Sequence, residues 1–119
     1  MELEFVRSAS DRKYVLEDIE ALPPIDKKVI LDALEDLVNF PIENLIAAQI
    51  VKPLHLPGAK LFELVVKSLG VGYRIFFVRR DSSYWLLHLI KKKTSKTPPR
   101  EIETALSRSK LINQNYESR

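Results

Sequence analysis

Polar and apolar residues alternate at the start of the chain, with Leu3 and Phe5 on one side, and this period of two predicts a short strand over residues 2–7. The period then lengthens. Tyr14, Leu16, Ile19 and Leu22 recur at helical spacing behind Ser10-Asp11, which offers a cap, so a first helix is expected over 11–21 until Pro23-Pro24 stops it. A second helix opens at Pro24 or Asp26. Its apolar positions Ile25, Val29, Ile30, Ala33, Leu34, Leu37 and Val38 form one stripe, and it ends before Pro41. Residues 44–51 read as a short helix, whereas Pro53 and Pro57 predict an irregular connection as far as Gly58. Three strand-like runs follow, at 60–68, 72–80 and 83–92, separated by hairpin-length breaks at Gly70–Gly72 and at Asp81-Ser82-Ser83. Thr97 then caps a last helix with Pro98 or Pro99 in its first turn, running to about Lys110, and the residues after Ile112 are expected to be disordered.

The order strand, helix, helix, three-stranded meander, helix implies an α+β domain spanning residues 1–119. An antiparallel sheet would carry all the helices, the C-terminal one included, on one face and leave the other face open. The opening strand is expected to join the meander at an edge. With 119 residues, 45% hydrophobic and 8% aromatic, the chain can bury one modest core, and Trp85, Phe76, Phe77 and Phe62 are assigned to it rather than to base stacking.

Charge changes this picture more than composition does. Residues 1–50 carry 5 Lys+Arg against 11 Asp+Glu, a net of −6, whereas residues 51–119 carry 14 against 5, a net of +9. The basic half suits a polyanion. There are no cysteines, which excludes a disulfide scaffold and a thiolate site and suits a reducing cytosol. Two histidines with scattered carboxylates argue against a zinc site, and no apolar run approaches membrane-spanning length.

The positive charge is concentrated where the third strand of the meander ends. Tyr84-Trp85-Leu86-Leu87-His88-Leu89-Ile90 runs straight into Lys91-Lys92-Lys93 and then Lys96, so cations stand at the rim of the core, where phosphate is the commonest target. Strict alternation puts Lys92 on one face with His88 and Tyr84, and Lys91 and Lys93 on the other with Trp85. Crowded ammonium groups lower one another's affinity for protons, which suits a base near neutral pH; a solvated turn that binds nothing is the ordinary fate of such a run. Arg74, between Tyr73 and Ile75 in an apolar strand, is costly unless it faces a groove, where its fork could grip two phosphate oxygens, or pairs with Glu63 on the neighbouring strand. His88 is open to two readings, a proton carrier or a half-buried anchor of the strand end, and His55 is read as structural.

Several of these segments, taken in order, resemble the RelE/ParE superfamily, specifically its HigB-like, phage-derived branch. They are Leu61-Phe62-Glu63-Leu64, Gly72-Tyr73-Arg74-Ile75-Phe76-Phe77, Leu86-Leu87-His88, Lys92-Lys93-Thr94-Ser95-Lys96-Thr97-Pro98, and Glu101-Ile102 with Ala105. The resemblance implies a RelE-like fold and the toxin of a bacterial type II toxin–antitoxin pair, cytoplasmic, without cofactor or metal, that cuts mRNA on the ribosome. It implies catalytic roles for Arg74, Lys92, Lys93 and His88, RNA contacts from Lys67, Lys91, Lys96 and Arg100, and a cognate antitoxin, a helix-turn-helix protein encoded beside it. The superfamily also contains gyrase inhibitors, so a non-nuclease toxin, or a degenerate member that binds only its antitoxin, is the alternative. Two positions depart from the branch's pattern. Val65 stands where an arginine follows Glu-Leu, leaving Lys67 as the next cation on that face, and Leu89 replaces a glycine after the histidine.

Overall fold

The computed structural model describes residues 1–92 and 96–117. Its strands are β1 (Glu2–Phe5), β2 (Val51–Leu56), β3 (Ala59–Ser68), β4 (Val71–Arg80) and β5 (Ser83–Lys92). Its helices are α1 (Tyr14–Glu20), α2 (Pro24–Asn39), α3 (Ile42–Ala47), α4 (Pro99–Ser109) and α5 (Ile112–Glu117). The sheet order is β1-β5-β4-β3-β2. Strands β2 to β5 form an antiparallel meander, but β1 pairs with β5 in parallel, so the five-stranded sheet is mixed rather than antiparallel.

The meander has four strands, not three, because residues 51–56 are strand and not an irregular connection. Pro53 is compatible with this since β2 is an edge: it lies in register with Phe62, and a missing N–H costs nothing on the side facing solvent. Pro57-Gly58 then makes the tight turn into β3, with Gly58 in the left-handed region at φ +71°. The next turn places Leu69 at φ +50° ahead of Gly70 at φ +81°, and the Leu69 side chain is 79% exposed. A leucine there gains no packing and suffers left-handed strain. Leu69→Asn, the residue type such turns prefer, should raise stability by about 0.5–1 kcal/mol, read as a higher melting temperature.

Both faces of the sheet carry helices, and the C-terminal helix is not on the same face as the first two. On one face, α1, α2 and α3 bury Val15, Ile19, Ile30, Leu34, Leu37 and Leu45 against Leu64, Val66, Tyr73, Ile75, Phe77 and Leu86. On the other, Ala105 of α4 and Ile112 of α5 pack with Val6, Leu61, Phe76, Trp85 and Leu87. Residues 112–117 are therefore ordered by docking, with Ile112 and Asn115 buried and Asn115 Oδ1 accepting from the Arg7 backbone N–H at 2.8 Å. The first helix starts at Tyr14 rather than 11, because Asp11 adopts φ +66° and cannot begin it. On α2 the apolar stripe is interrupted: Ile25 is 60% exposed and Asp26 is buried instead. Asp26 accepts from Ser68 Oγ and Tyr73 Oη, both at 2.5 Å, which ties α2 to the β3–β4 hairpin. Those two hydrogen bonds, Ser68 first, hold the carboxyl below its usual range, and the bond to Asp26 pushes the Tyr73 phenol up to about 12.

Candidate functional site

A β-bulge decides which side chains meet. Phe77 pairs with Leu86 but Phe76 pairs with His88, so Leu87 is an extra residue with no partner on β4. Before it Tyr84 and Leu86 face α2; after it His88, Ile90 and Lys92 face the α4 side. Alternation across the strand thus fails at this point, and two of its consequences are corrected. Lys92 shares its face with His88 but not with Tyr84. Lys91, paired with Tyr73, lies on the opposite face from Trp85, where its charge acts on Asp26.

Three cross-strand rows now define the α4-side face beyond the helix. Lys52, Glu63, Phe76 and His88 lie in one; Val65, Arg74 and Ile90 in the next; Lys67, Gly72 and Lys92 in the third. The face therefore brings together Arg74, Lys92, Lys67 and His88 from the sequence-based set. Lys67 is exposed, and so are Lys96, ahead of α4, and Arg100 in its first turn. Lys91 is not part of this face, and Lys93 lies outside the described residues.

The centre of the face is a charge cluster on Glu63. Arg74 Nε lies 3.2 Å and Lys92 Nζ 3.7 Å from the same carboxylate oxygen, Oε1. Thr97 Oγ1 donates to that oxygen at 3.2 Å. The side chains are closely covered, at 12% exposure for Arg74, 7% for Lys92 and 3% for Glu63. The Arg74–Glu63 ion pair, the structural alternative for Arg74, is thus present, yet it does not use up the positive charge. Two cations share one carboxylate, and Arg74 Nε, though near it, makes no aligned hydrogen bond. Its Nη1 donates to the Tyr73 carbonyl at 3.1 Å. A half-buried surplus of one cation is costly unless an anion completes it.

His88 is held at both ring nitrogens. Nε2 lies 2.8 Å from Glu101 Oε2, and Arg108 Nη1 is 3.1 Å from Nδ1 while also donating to the Leu87 carbonyl at 3.1 Å. Since guanidinium only donates, Nδ1 is the acceptor and Nε2 carries the proton. Arg108 in turn stacks over the Tyr14 ring at 3.8 Å. Burial, ahead of the opposing bond to Glu101, lowers the imidazole's proton affinity from its ordinary 6.5. The arrangement favours an anchor that docks α4 on β5 over a proton carrier. Because the folded value is depressed, the stability from neutral His88 is full above 6.5 and falls as pH drops through the lowered value. Urea unfolding midpoints should therefore decline from about pH 6.5 downward, and His88→Phe should flatten that segment. The Asp26 contribution, also from a depressed value, should fade only below 3.8.

A cavity of about 490 Å³ opens beside the cluster, lined by His88, Leu89, Ile90, Lys91, Lys92, Pro98, Arg100 and Glu101. Another, of about 530 Å³, lies on the α3 side against Ile42, Ile46 and Phe62 and holds none of the candidate cations. The sequence reading missed Lys52, because the segment carrying it was taken as irregular. It also missed the central part of Glu63, although that residue's place within a buried, otherwise apolar strand was a usable signal. His55, read as structural, is an exposed residue of the edge strand.

A family model described as phage-derived protein Gp49-like (DUF891) matches residues 17–110, a span that includes Glu63, Arg74, Lys92 and Thr97. A search of the curated proteins gives no match.

Proposed function

Since the chain belongs to the phage-derived Gp49-like family, a RelE/HigB-like toxin family, we propose that it is the toxin of a bacterial type II toxin–antitoxin module. In this reading it cleaves mRNA on the ribosome without a metal ion. The observation that supports the chemistry is the half-buried cation surplus of Arg74 and Lys92 over Glu63. Cleavage of this kind turns the 2′-hydroxyl on its own phosphate, so it needs a proton acceptor, a cation for the charge growing on phosphorus-bound oxygen, and a proton donor for the departing 5′-oxygen. Arg74 supplies the cation, as a planar group in a low-dielectric setting where its charge counts most. Lys92 or Lys93 assists with charge or with proton transfer, one amine taking the 2′-hydroxyl proton and an ammonium giving one to the departing 5′-oxygen. Lys67, Lys96 and Arg100 hold flanking phosphates, and His88 positions α4 from behind.

The test is incubation of the purified protein with ribosomes and a defined mRNA, alongside the same mRNA without ribosomes. Cleavage only in the first tube is the expected result, and intact mRNA in both overturns the nuclease reading. One observation favours a second reading, a toxin such as a gyrase inhibitor that cleaves nothing, or a member that only binds its antitoxin. Val65 leaves the row beside Arg74 without a further cation. Expression without an antitoxin separates an inert protein, which leaves growth unchanged, from a toxin of either kind.

A further inference from the structure

Glu63 is a buried carboxylate that the nuclease reading leaves idle, although it stands between the two cations that reading needs. Two cationic nitrogens, Arg74 Nε and Lys92 Nζ, and one hydroxyl donor, Thr97 Oγ1, converge on one of its oxygens. A phosphodiester bears the same single negative charge and also offers paired oxygens, so it competes with a carboxylate for the same N–H groups. Around this centre, Lys52 and Lys67 are exposed on the same face, and Arg100 is 86% exposed at the start of α4. They lie in different rows and elements, spaced for a chain of phosphates rather than for one ion.

We propose that Glu63 is an internal counter-ion, which a backbone phosphate of single-stranded RNA displaces from Arg74 and Lys92. The Thr97 hydroxyl bond to Glu63 breaks in the same exchange. Lys92 has the reach for it, since its ammonium sits on a flexible four-carbon stem, whereas Arg74 keeps its bond to the Tyr73 carbonyl and re-aims little. The exchange swaps one ion pair for another and so yields little affinity by itself. The outer lysines supply the attraction that drives it, and a lone phosphate ion, which cannot reach them, leaves Glu63 in place. The central cations are thereby screened from small anions and presented to a strand. The inference rests on the nuclease reading for the identity of the ligand, RNA.

The test is binding, kept apart from cleavage. Anisotropy of a labelled 2′-O-methyl oligoribonucleotide, which cannot be cut, is measured against salt for the wild type and Glu63→Gln, with inorganic phosphate as competitor. Glu63→Gln should bind about tenfold tighter. Its log–log salt slope should match that of the wild type, because the same phosphates are neutralised in both. Low-millimolar phosphate should fail to displace the oligomer from the wild type. Equal or weaker binding by a folded Glu63→Gln protein overturns the exchange, and so does displacement by phosphate alone. Should Glu63→Gln lack a cooperative melt, Thr97→Val, which removes only the covering hydroxyl, takes its place. It should bind about fivefold tighter, the worth of one hydrogen bond, and unchanged affinity overturns the exchange. Because the oligomer is uncleavable, a failure here is distinct from a failure of mRNA cleavage on the ribosome.

Discussion

Arg74→Ala should reduce ribosome-dependent mRNA cleavage by about 10²–10³-fold, the usual effect of deleting one preorganised donor to a developing anion. Expression of the variant should leave bacterial growth unimpaired. The expectation follows from position: Arg74 is the one cation that pairs with Glu63 from β4, in register with Val65 on β3 and Ile90 on β5, so no neighbour in its row can substitute. Lys92 stays beside Glu63 in the variant and balances it one to one, so the buried carboxylate is not left alone. The fold should therefore survive, with an unchanged circular dichroism spectrum. Arg74→Lys should fall between the two, keeping the charge without the planar fork. A fully toxic Arg74→Ala strain would show that the phosphate is held elsewhere.

Phe76→Ala should cost about 3–5 kcal/mol of folding stability, the range for truncating a buried aromatic residue. Phe76 is fully buried, lies opposite Glu63 on β3 and His88 on β5, and stacks on the His88 ring with centroids 6.1 Å apart. It is the apolar floor under the charge cluster and part of the surface on which α4 sits. A loss of that size is a large share of the roughly 5–15 kcal/mol that holds an ordinary domain together. Urea denaturation should show it as a lower midpoint at unchanged slope. A loss below about 1 kcal/mol would mean that the site side of the sheet is already loosely packed.

The strands were legible wherever apolar residues were continuous and turns were marked. The run 83–92 matches β5 at both ends, and 60–68 and 72–80 differ from β3 and β4 by a single residue. Strand β2 was not legible, since proline within a run reads as a breaker, and only its place at the sheet edge makes Pro53 harmless. Ordering of 112–117 was likewise invisible, because it depends on Ile112 and Asn115 finding the far side of the sheet. The inversion of Ile25 and Asp26 on α2 could not be read either. A buried aspartate is tolerable only with both Ser68 and Tyr73 as donors, and those residues are more than forty positions away.

The site shows the same division. Arg74 and Lys92 were recognisable as charges entering or leaving an apolar strand, and they do meet. That they meet on a buried carboxylate depends on registers across β3, β4 and β5 that local pattern does not encode. The expectation that Lys91 shares a face with Trp85 failed for a related reason, since alternation is a parity rule and one unpaired residue reverses it.

That extra residue has a consequence for how a chain of this kind can change. Deleting the single position Leu87 would remove the kink yet leave every β4–β5 pair in place, with Lys91 still opposite Tyr73 and Lys92 still opposite Gly72. Deleting a paired residue beyond it, such as Ile90, would instead bring Lys91 into the row of Arg74 and Lys92 into that of Tyr73, on the Asp26 side. Which ammonium guards the interior and which greets solvent is therefore written in the number of paired positions between the bulge and the basic run, independent of that run's composition.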